Sequence, residues 1–231
     1  MNRKSQKLSF IREIVGCLIS PRSSFKSVLE KPSLLKATTL ILLIALVAAL
    51  ATFNYRGKLP VTYLLQQRPG VLFPRQGASV NPEQFHHALM FIDAMMGLIG
   101  VFATWLISSA LIHGFSSRLG EKGTFRSMLT LSGYASTPLL IQQILRLVDS
   151  FMVSQEELLQ LATNFQLSAD PLLNTLAKAA VNIFTIFRLW SIILLIIAIH
   201  ENYRMSTIRS IIVVVLSFII IVFVSLVLPF T

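Results

Sequence analysis

The chain of 231 residues is too apolar and too poor in charge for an ordinary soluble domain. Hydrophobic residues make up 54% of it and charged residues 13%, whereas soluble domains carry about 25% charged residues. Its formal charge of +10 usually indicates an anionic partner, but the cations are not interleaved with stacking aromatics as in nucleic-acid modules, so nucleic acid is not an expected partner. The composition predicts an all-α membrane protein.

The first 36 residues predict a cytoplasmic amphipathic segment. Apolar residues recur there at helical spacing, and eight of the twenty Lys and Arg lie in this segment. Ser20-Pro21 predicts the start of a second short helix. These helices either bind anionic lipid or a partner protein, or simply seat the bundle on the bilayer; Cys17, the single cysteine, is a palmitoylation candidate or an inert small residue. The candidate partner or lipid surface is Phe10, Ile14, Leu18, Pro21 and Phe25.

Five apolar runs follow this segment, and each is near the ~20 residues that cross a bilayer. We therefore expect a single five-helix transmembrane domain over residues 37–231. Thirteen of the twenty Lys and Arg lie in 1–36, 116–127 and 200–209, so the positive-inside rule places the N-terminus in the cytoplasm and the C-terminus outside a cell membrane. The predicted spans are 37–53, 88–115, 128–153, 176–199 and 210–228, and the longest outer loop is 54–87.

The third apolar run is interrupted by Gly133 and Pro138. Pro138 has no N–H and clashes with the carbonyl four residues earlier, so it bends or breaks the helix. In hydrocarbon the freed carbonyls need other donors, which the hydroxyls of Ser132, Ser136 and Thr137 can supply. We predict a bend near the cytoplasmic face that serves coupling to a partner rather than catalysis.

Four ionisable residues lie within or near the predicted spans. Charge in hydrocarbon costs at least ~2.5–3.5 kcal/mol on insertion scales, so each should face protein or water. Arg188 can reach Asp93 if spans two and four run in the same direction, and Arg146 can pair locally with Asp149. Whether Arg188 pairs with Asp93 or with Asp149 stays open. The pair is either structural or a proton or ion relay through Asp93 and Arg188.

Small residues at Gly97, Gly100, Thr104 and Ser108 follow one side of the second span and permit close helix approach. We expect this side to pack within the bundle rather than to form a homodimer.

Sites for metals, cofactors and catalysis find little support in the sequence. Glu83 and His87 have the spacing of one helix face beside His86, but no third ligand is near, so no metal is expected. The chain has no Gly-rich phosphate loop, no His-Glu-x-x-His and no Gly-x-Ser-x-Gly. We therefore predict no enzyme activity and no cofactor.

Two sequence elements resemble the Ypt-interacting-protein (Yip) domain family. The segment from Ser20-Pro21 to Lys31-Pro32 precedes the five apolar runs, and a Gly-Tyr…Pro element lies in the third run. The chain resembles a prokaryotic member over nearly its whole length. It lacks the Asp-Leu…Gly-Pro motif of the eukaryotic branch, whose members bind Rab-type GTPases. The resemblance implies an integral membrane protein without catalysis.

The resemblance also suggests a role. At least one kind of bacterial member works as an extra membrane subunit of a tripartite-type ABC exporter linked to protection against toxic peptides. The expected function is thus an accessory or adaptor subunit, with lipids and ABC permease, ATPase and periplasmic-adaptor subunits as partners. The alternative is a small transporter or channel that uses Asp93 and Arg188. The structural or coupling candidates are Gly133, Tyr134, Pro138, Asp93, Arg146, Asp149 and Arg188.

Overall fold

The computed structural model describes residues 3–60, 82–119, 123–164 and 186–227, and within these ranges it contains helices and no strands. The all-α prediction is confirmed. Parts of the predicted loop 54–87, of the fourth span and of the end of the fifth lie outside the described residues. The helices are α1 Arg3–Ile19, α2 Pro21–Glu30, α3 Leu34–Gly57, α4 Pro82–Leu119, α5 Phe125–Ala135, α6 Thr137–Met152, α7 Gln155–Asn164, α8 Ile186–Tyr203 and α9 Thr207–Val227.

Helix α3 lies at the centre of the packing, against α4, α5 and α6, while α8 packs against α5, α6 and α9. We name the two ends of this bundle after the first and last residues of α3, Leu34 and Gly57. Helix α4 starts beyond the Gly57 end, where Met90 Cε lies 2.9 Å from the position of a Cβ added to Gly57. Helix α5 starts at the Leu34 end, and α6 continues to the Gly57 end.

In the part of the chain that the structure describes, three helices are long and apolar enough to cross a membrane: Leu34–Gly57, Glu83–Leu119 and Ile186–Tyr203. A shorter apolar helix covers Thr207–Phe223. The third predicted span is divided into α5 and α6, of 11 and 16 residues. Large apolar side chains cover the outward faces of these helices, as expected for surfaces that contact lipid rather than water. The protein is therefore embedded in a membrane.

The N-terminal helices belong to the core of the bundle. Helix α2 packs against α8 and α5, and α1 packs against α5 and α6. Phe25 is fully buried in the main core, and Phe10 and Ile14 pack against that core. Predicting these three as a partner or lipid surface was wrong, because periodicity identifies an apolar face without identifying what covers it. The apolar residues of α1 that are exposed are instead Ile11, Val15 and Ile19.

The other two residues of that predicted surface, Leu18 and Pro21, are half-buried. Neither side chain is therefore fully exposed on the surface of the protein.

A separate small core lies at the Gly57 end, where Leu59 and Leu89 pack with Leu158 and Leu159 of α7. Helix α7 begins with a reciprocal cap that the sequence analysis missed. Ser154 N donates to Glu157 Oε2 at 2.9 Å, and Glu157 N donates to Ser154 Oγ at 3.2 Å. Ser154 Oγ also donates to Glu157 Oε2, at 3.1 Å, and the two hydrogen bonds from Ser154 to this carboxylate lower the pKa of Glu157. The spacing Ser-x-x-Glu is the recognisable signal for such a helix start.

Candidate functional site

The break between α5 and α6 is closed by hydroxyl groups. Pro138 leaves the carbonyl of Tyr134 without its usual helical donor, and Thr137 Oγ1 donates to that carbonyl at 2.5 Å. Ser136 Oγ donates to the Ser132 carbonyl at 2.9 Å. The structure therefore confirms that nearby hydroxyls satisfy the backbone at this interruption.

Gly133 allows α5 to approach α3 at the Leu34 end. A Cβ on Gly133 would lie 2.8 Å from Cβ of Ala37 and 3.3 Å from its Cα. Ala37 is fully buried, and part of the obstruction is backbone, so it cannot move aside as a flexible side chain can. The glycine is therefore required by helix contact just before the break.

Tyr134 connects the break to the N-terminal helix α1. Its hydroxyl donates to Glu13 Oε2 at 2.5 Å, and Lys36 Nζ pairs with Glu13 Oε1 at 2.6 Å. The ring of Phe10 meets the Tyr134 ring edge-on, with centroids 6.4 Å apart. One carboxylate thus joins α1, the start of α3 and α5. We call Glu13, Lys36 and Tyr134 the Glu13 network.

Sequence reasoning identified Tyr134 but missed Glu13 and Lys36. The available signal was a single acid among the apolar and basic residues of α1, since such an acid needs a partner when its helix packs against a bundle.

Cys17 lies inside the same region and is fully buried. Burial, together with the negative charge of Glu13, raises the pKa of the Cys17 thiol to about 12. The thiol is therefore protonated and enclosed near neutral pH, which favours an inert small residue over a lipidation site.

A second polar contact holds α4 against α5 in the residues just before the break. Trp105 Nε1 donates to Ser132 Oγ at 3.0 Å, and the hydroxyl oxygens of Ser109 and Ser132 are 2.7 Å apart. All three side chains are buried. Three helices therefore meet at the interrupted segment through specific contacts rather than through apolar packing alone.

A family model for the Yip1 domain matches residues 15–228. The chain belongs to the Yip1 family. The matched range contains the whole of the break and every helix from α2 to α9. No curated protein and no solved structure matches the chain.

In this Yip1 protein the acidic candidates at the Gly57 end have partners other than Arg188. Arg56 Nε pairs with Asp93 Oδ2 at 3.2 Å, and Tyr55 donates its hydroxyl to Asp149 Oδ2 at 2.5 Å. Neither of the two pairings left open for Arg188, with Asp93 or with Asp149, is found among the described residues. Helix α3, which packs along α4, supplies the nearer cation.

Arg146 of the Yip1 protein does not form its expected local pair with Asp149. Its Nη1 donates to Gln143 Oε1 at 3.3 Å, and its guanidinium carbon lies 6.0 Å from the centroid of the Tyr55 ring. The partner of Asp149 is the hydroxyl of Tyr55 rather than the guanidinium of Arg146.

The ends of α3 and α6 are tied together at this same level. Asn54 Nδ2 donates to the carbonyl and to the hydroxyl of Ser150 at 3.1 and 3.0 Å. Lys58 Nζ donates to the Val153 carbonyl at 2.7 Å. Asn54 thereby satisfies one of the last carbonyls of α6, which lack helical donors, and Lys58 satisfies the carbonyl of Val153, the residue that follows this helix.

The small-residue side of α4 is uncovered in the Yip1 protein. A Cβ added to Gly97 or Gly100 would meet no atom of the described residues within 4 Å, and Thr104 is exposed. Among the described residues, the expected packing of this side within the bundle is not found. The bundle packs against the other side of the helix, through residues such as Trp105 and Ser109.

The two adjacent histidines of α4, His86 and His87, lie close to a backbone carbonyl and to each other. His86 Nε2 lies 3.4 Å from the Arg56 carbonyl, and the His86 and His87 rings are stacked with centroids 6.2 Å apart. The described ranges contain no group of three or more His, Cys, Asp or Glu that could hold a metal ion.

Proposed function

We propose that this protein is a non-catalytic accessory or adaptor subunit of a membrane complex. The observation that carries the proposal is the uncovered side of α4 at Gly97, Gly100 and Thr104. Small residues there permit the backbone of a second helix to approach closely, and no described helix of this chain uses them. An adaptor needs such a face, whereas a self-contained bundle does not.

We further propose a prokaryotic cell-membrane protein with five spans, an inner N-terminus and an outer C-terminus. The passes are α3, α4, α5 with α6, α8 and α9. The packing of α3 against both α5 and α6 supports treating these two helices as one interrupted pass. The concentration of cations in 1–36, 116–127 and 200–209 supports the orientation, which puts the Leu34 end in the cytoplasm.

The Glu13 network is the proposed coupling element. Tyr134 holds α1 next to the interrupted pass, while α1 exposes Ile11 and Val15 on its other side. A partner that moves α1 therefore acts directly on Tyr134, in the residues just before the break. This gives the Gly-Tyr…Pro element a role in transmitting partner binding rather than in catalysis.

The partner class follows from the family resemblance. An ABC-type exporter complex with permease, ATPase and periplasmic-adaptor subunits, acting against toxic peptides, is the version we propose. Its specific test is co-isolation of those three subunits, together with increased peptide sensitivity of cells that lack this protein.

The general adaptor proposal is tested by isolating the tagged protein in mild detergent and identifying bound proteins by mass spectrometry. We expect membrane partners in fixed ratio with the wild type and their loss with Gly100→Leu, which fills the uncovered side without touching the bundle. Thr39→Leu is the matched control, because it enlarges an exposed small residue on α3. Recovery of the protein alone, or equal recovery with Gly100→Leu, contradicts the proposal.

The alternative of a small transporter or channel has less support, since Asp93 pairs with Arg56 and not with Arg188. It predicts solute or ion flux by the purified protein in liposomes, and loss of that flux with Asp93→Asn in protein that remains folded.

A further inference from the structure

The contact between α6 and α8 contains polar groups that lack partners. Gln142 and Arg146 lie on one face of α6, and Arg188 and Ser191 lie on one face of α8, because residues three or four apart share a helix face. The two helices pack together. Three enclosed atoms in this region, Arg188 Nε, Gln142 Oε1 and Ser191 Oγ, have no hydrogen-bond partner among the described residues.

Two guanidinium groups dominate the charge of this region. Arg146 lies on α6 and Arg188 on α8, two helices that pack together, and the positive charge of Arg146 acts on Arg188. A carboxylate on the same helix as Arg146, Asp149, already accepts the hydroxyl of Tyr55. Within the described ranges, none of the ion pairs includes either arginine. The region therefore carries excess positive charge, part of it on the half-buried Arg188, and an anion would relieve it.

The depth of Arg146 indicates which anion. Arg146 lies beside Tyr55, near the end of α3, at the level where a span of this length meets the membrane interface. Cationic side chains whose stems lie along apolar surface place their charge at that level.

The surfaces that flank the arginines indicate the rest of the ligand. Leu145 and Val148 are exposed on α6, at 52% and 51%, and Ile186 and Leu189 are exposed on α8, at 72% and 41%. In a membrane such surfaces face acyl chains. A ligand with both a phosphate and acyl chains matches the cations and their apolar borders together, whereas a free anion matches only the cations.

We infer that Arg146 and Arg188 bind the phosphate group of a membrane phospholipid whose acyl chains lie along α6 and α8. Guanidinium groups recognise phosphate oxygens through paired, charge-assisted hydrogen bonds. The Ser191 hydroxyl is a further donor to the lipid, and Gln142 Oε1 is an acceptor for a headgroup hydroxyl. The lipid would join α6 to α8 at the end of the bundle opposite the Glu13 network. The inference requires membrane embedding but not the accessory role.

The test is native mass spectrometry of the detergent-purified full chain with phosphatidylglycerol, supported by thermal melting in the same lipid. We expect the wild type to retain bound lipid and to melt at a higher temperature with it. Each of Arg146→Gln and Arg188→Gln should lower lipid retention by about tenfold, the effect of losing one strong charge-assisted hydrogen bond. Arg118→Gln is the matched control, because it removes an exposed arginine at the Leu34 end.

Two ligand controls separate phospholipid from other sources of stabilisation. Diacylglycerol with the same acyl chains, and inorganic phosphate alone, should each leave the melting temperature of the wild type unchanged. Stabilisation by diacylglycerol equal to that by phosphatidylglycerol, or full stabilisation by inorganic phosphate, overturns the inference. Unchanged lipid retention in the double variant, which combines Arg146→Gln with Arg188→Gln, also overturns it. If that variant fails to fold, the three-ligand comparison on the wild type still decides the question.

Discussion

The two ends of the bundle handle charge in different ways. At the Leu34 end one acid, Glu13, receives both Lys36 and Tyr134 and so joins three helices. At the Gly57 end the acids are taken by residues of α3, and Arg146 and Arg188 are left in excess. The first end is organised around contacts within the protein, and the second retains the capacity to bind an anion. Our two proposals accordingly place partner coupling at the Leu34 end and lipid binding at the Gly57 end.

The largest expected effect is on the helix contact at the Leu34 end. Gly133→Ala places a methyl group 2.8 Å from Cβ of Ala37, so α3 and α5 must separate. We expect destabilisation of about 1–3 kcal/mol, the usual cost of overpacking, measured as the change in the free energy of unfolding in detergent. Adding Ala37→Gly should restore part of the loss, because it removes the opposing methyl group. Equal instability with and without Ala37→Gly argues against a direct contact.

The next effect concerns the Glu13 network. Glu13→Gln keeps the size of the side chain but removes the charge that pairs with Lys36, at an expected cost of about 1–3 kcal/mol. Limited proteolysis should then cut the α1 segment faster while α3 to α6 stay protected. The matched variant is Glu30→Gln, an exposed acid at the end of α2. If both variants are cut at the wild-type rate, the network does not hold α1.

A smaller effect is expected at the Gly57 end. Asn54→Ala removes two hydrogen bonds to Ser150 and should cost about 1 kcal/mol, since Lys58 still caps α6. The proteolysis pattern of α1 should not change, because the two ends act independently. Faster cutting at α1 in this variant would show that the ends are coupled and would end the proposed division between them.

The smallest effect concerns the chemistry of Cys17. With a pKa near 12, its thiol should react with maleimide far more slowly than a free cysteine between pH 7 and 9. A group with a raised pKa in the folded state stabilises that state below the unfolded pKa, 9.0 for this thiol, and loses the contribution as the pH rises toward 12. Stability should therefore fall with pH above 9 in the wild type and fall less in Cys17→Ala. Rapid labelling at pH 7 would show that the thiol is accessible.

Local chemistry predicted from the sequence agrees well with the structure. The missing N–H of Pro138 defines which carbonyl needs a donor, and the donor, Thr137, lies next to it in the chain. The apolar runs likewise predicted α3, α4 and α9 because length and composition are local properties.

Contacts between distant segments could not be predicted in the same way. Glu13 and Tyr134 are 121 positions apart, and nothing in either segment specifies the other. Asp93 illustrates the same limit, since helix direction allowed Arg188 while the packing of α3 along α4 brought Arg56 closer. The apolar faces of α1 and α4 were assigned to the wrong surroundings because lipid, protein and partner all satisfy the same pattern.

The small core of Leu59, Leu89 and Leu158 means that the two parts of α4 are stabilised in different surroundings, one in lipid and one in water. Its bilayer part gains nothing from the hydrophobic effect, because lipid is as apolar as the protein, and it depends on close packing. The part beyond the Gly57 end meets water, where burying leucine is itself the driving force. Urea weakens apolar burial from water, so it should release α7 from α4 while the bundle stays assembled. In α4, the contacts of the segment beyond the Gly57 end would then be lost at a lower urea concentration than the contacts of the bilayer segment.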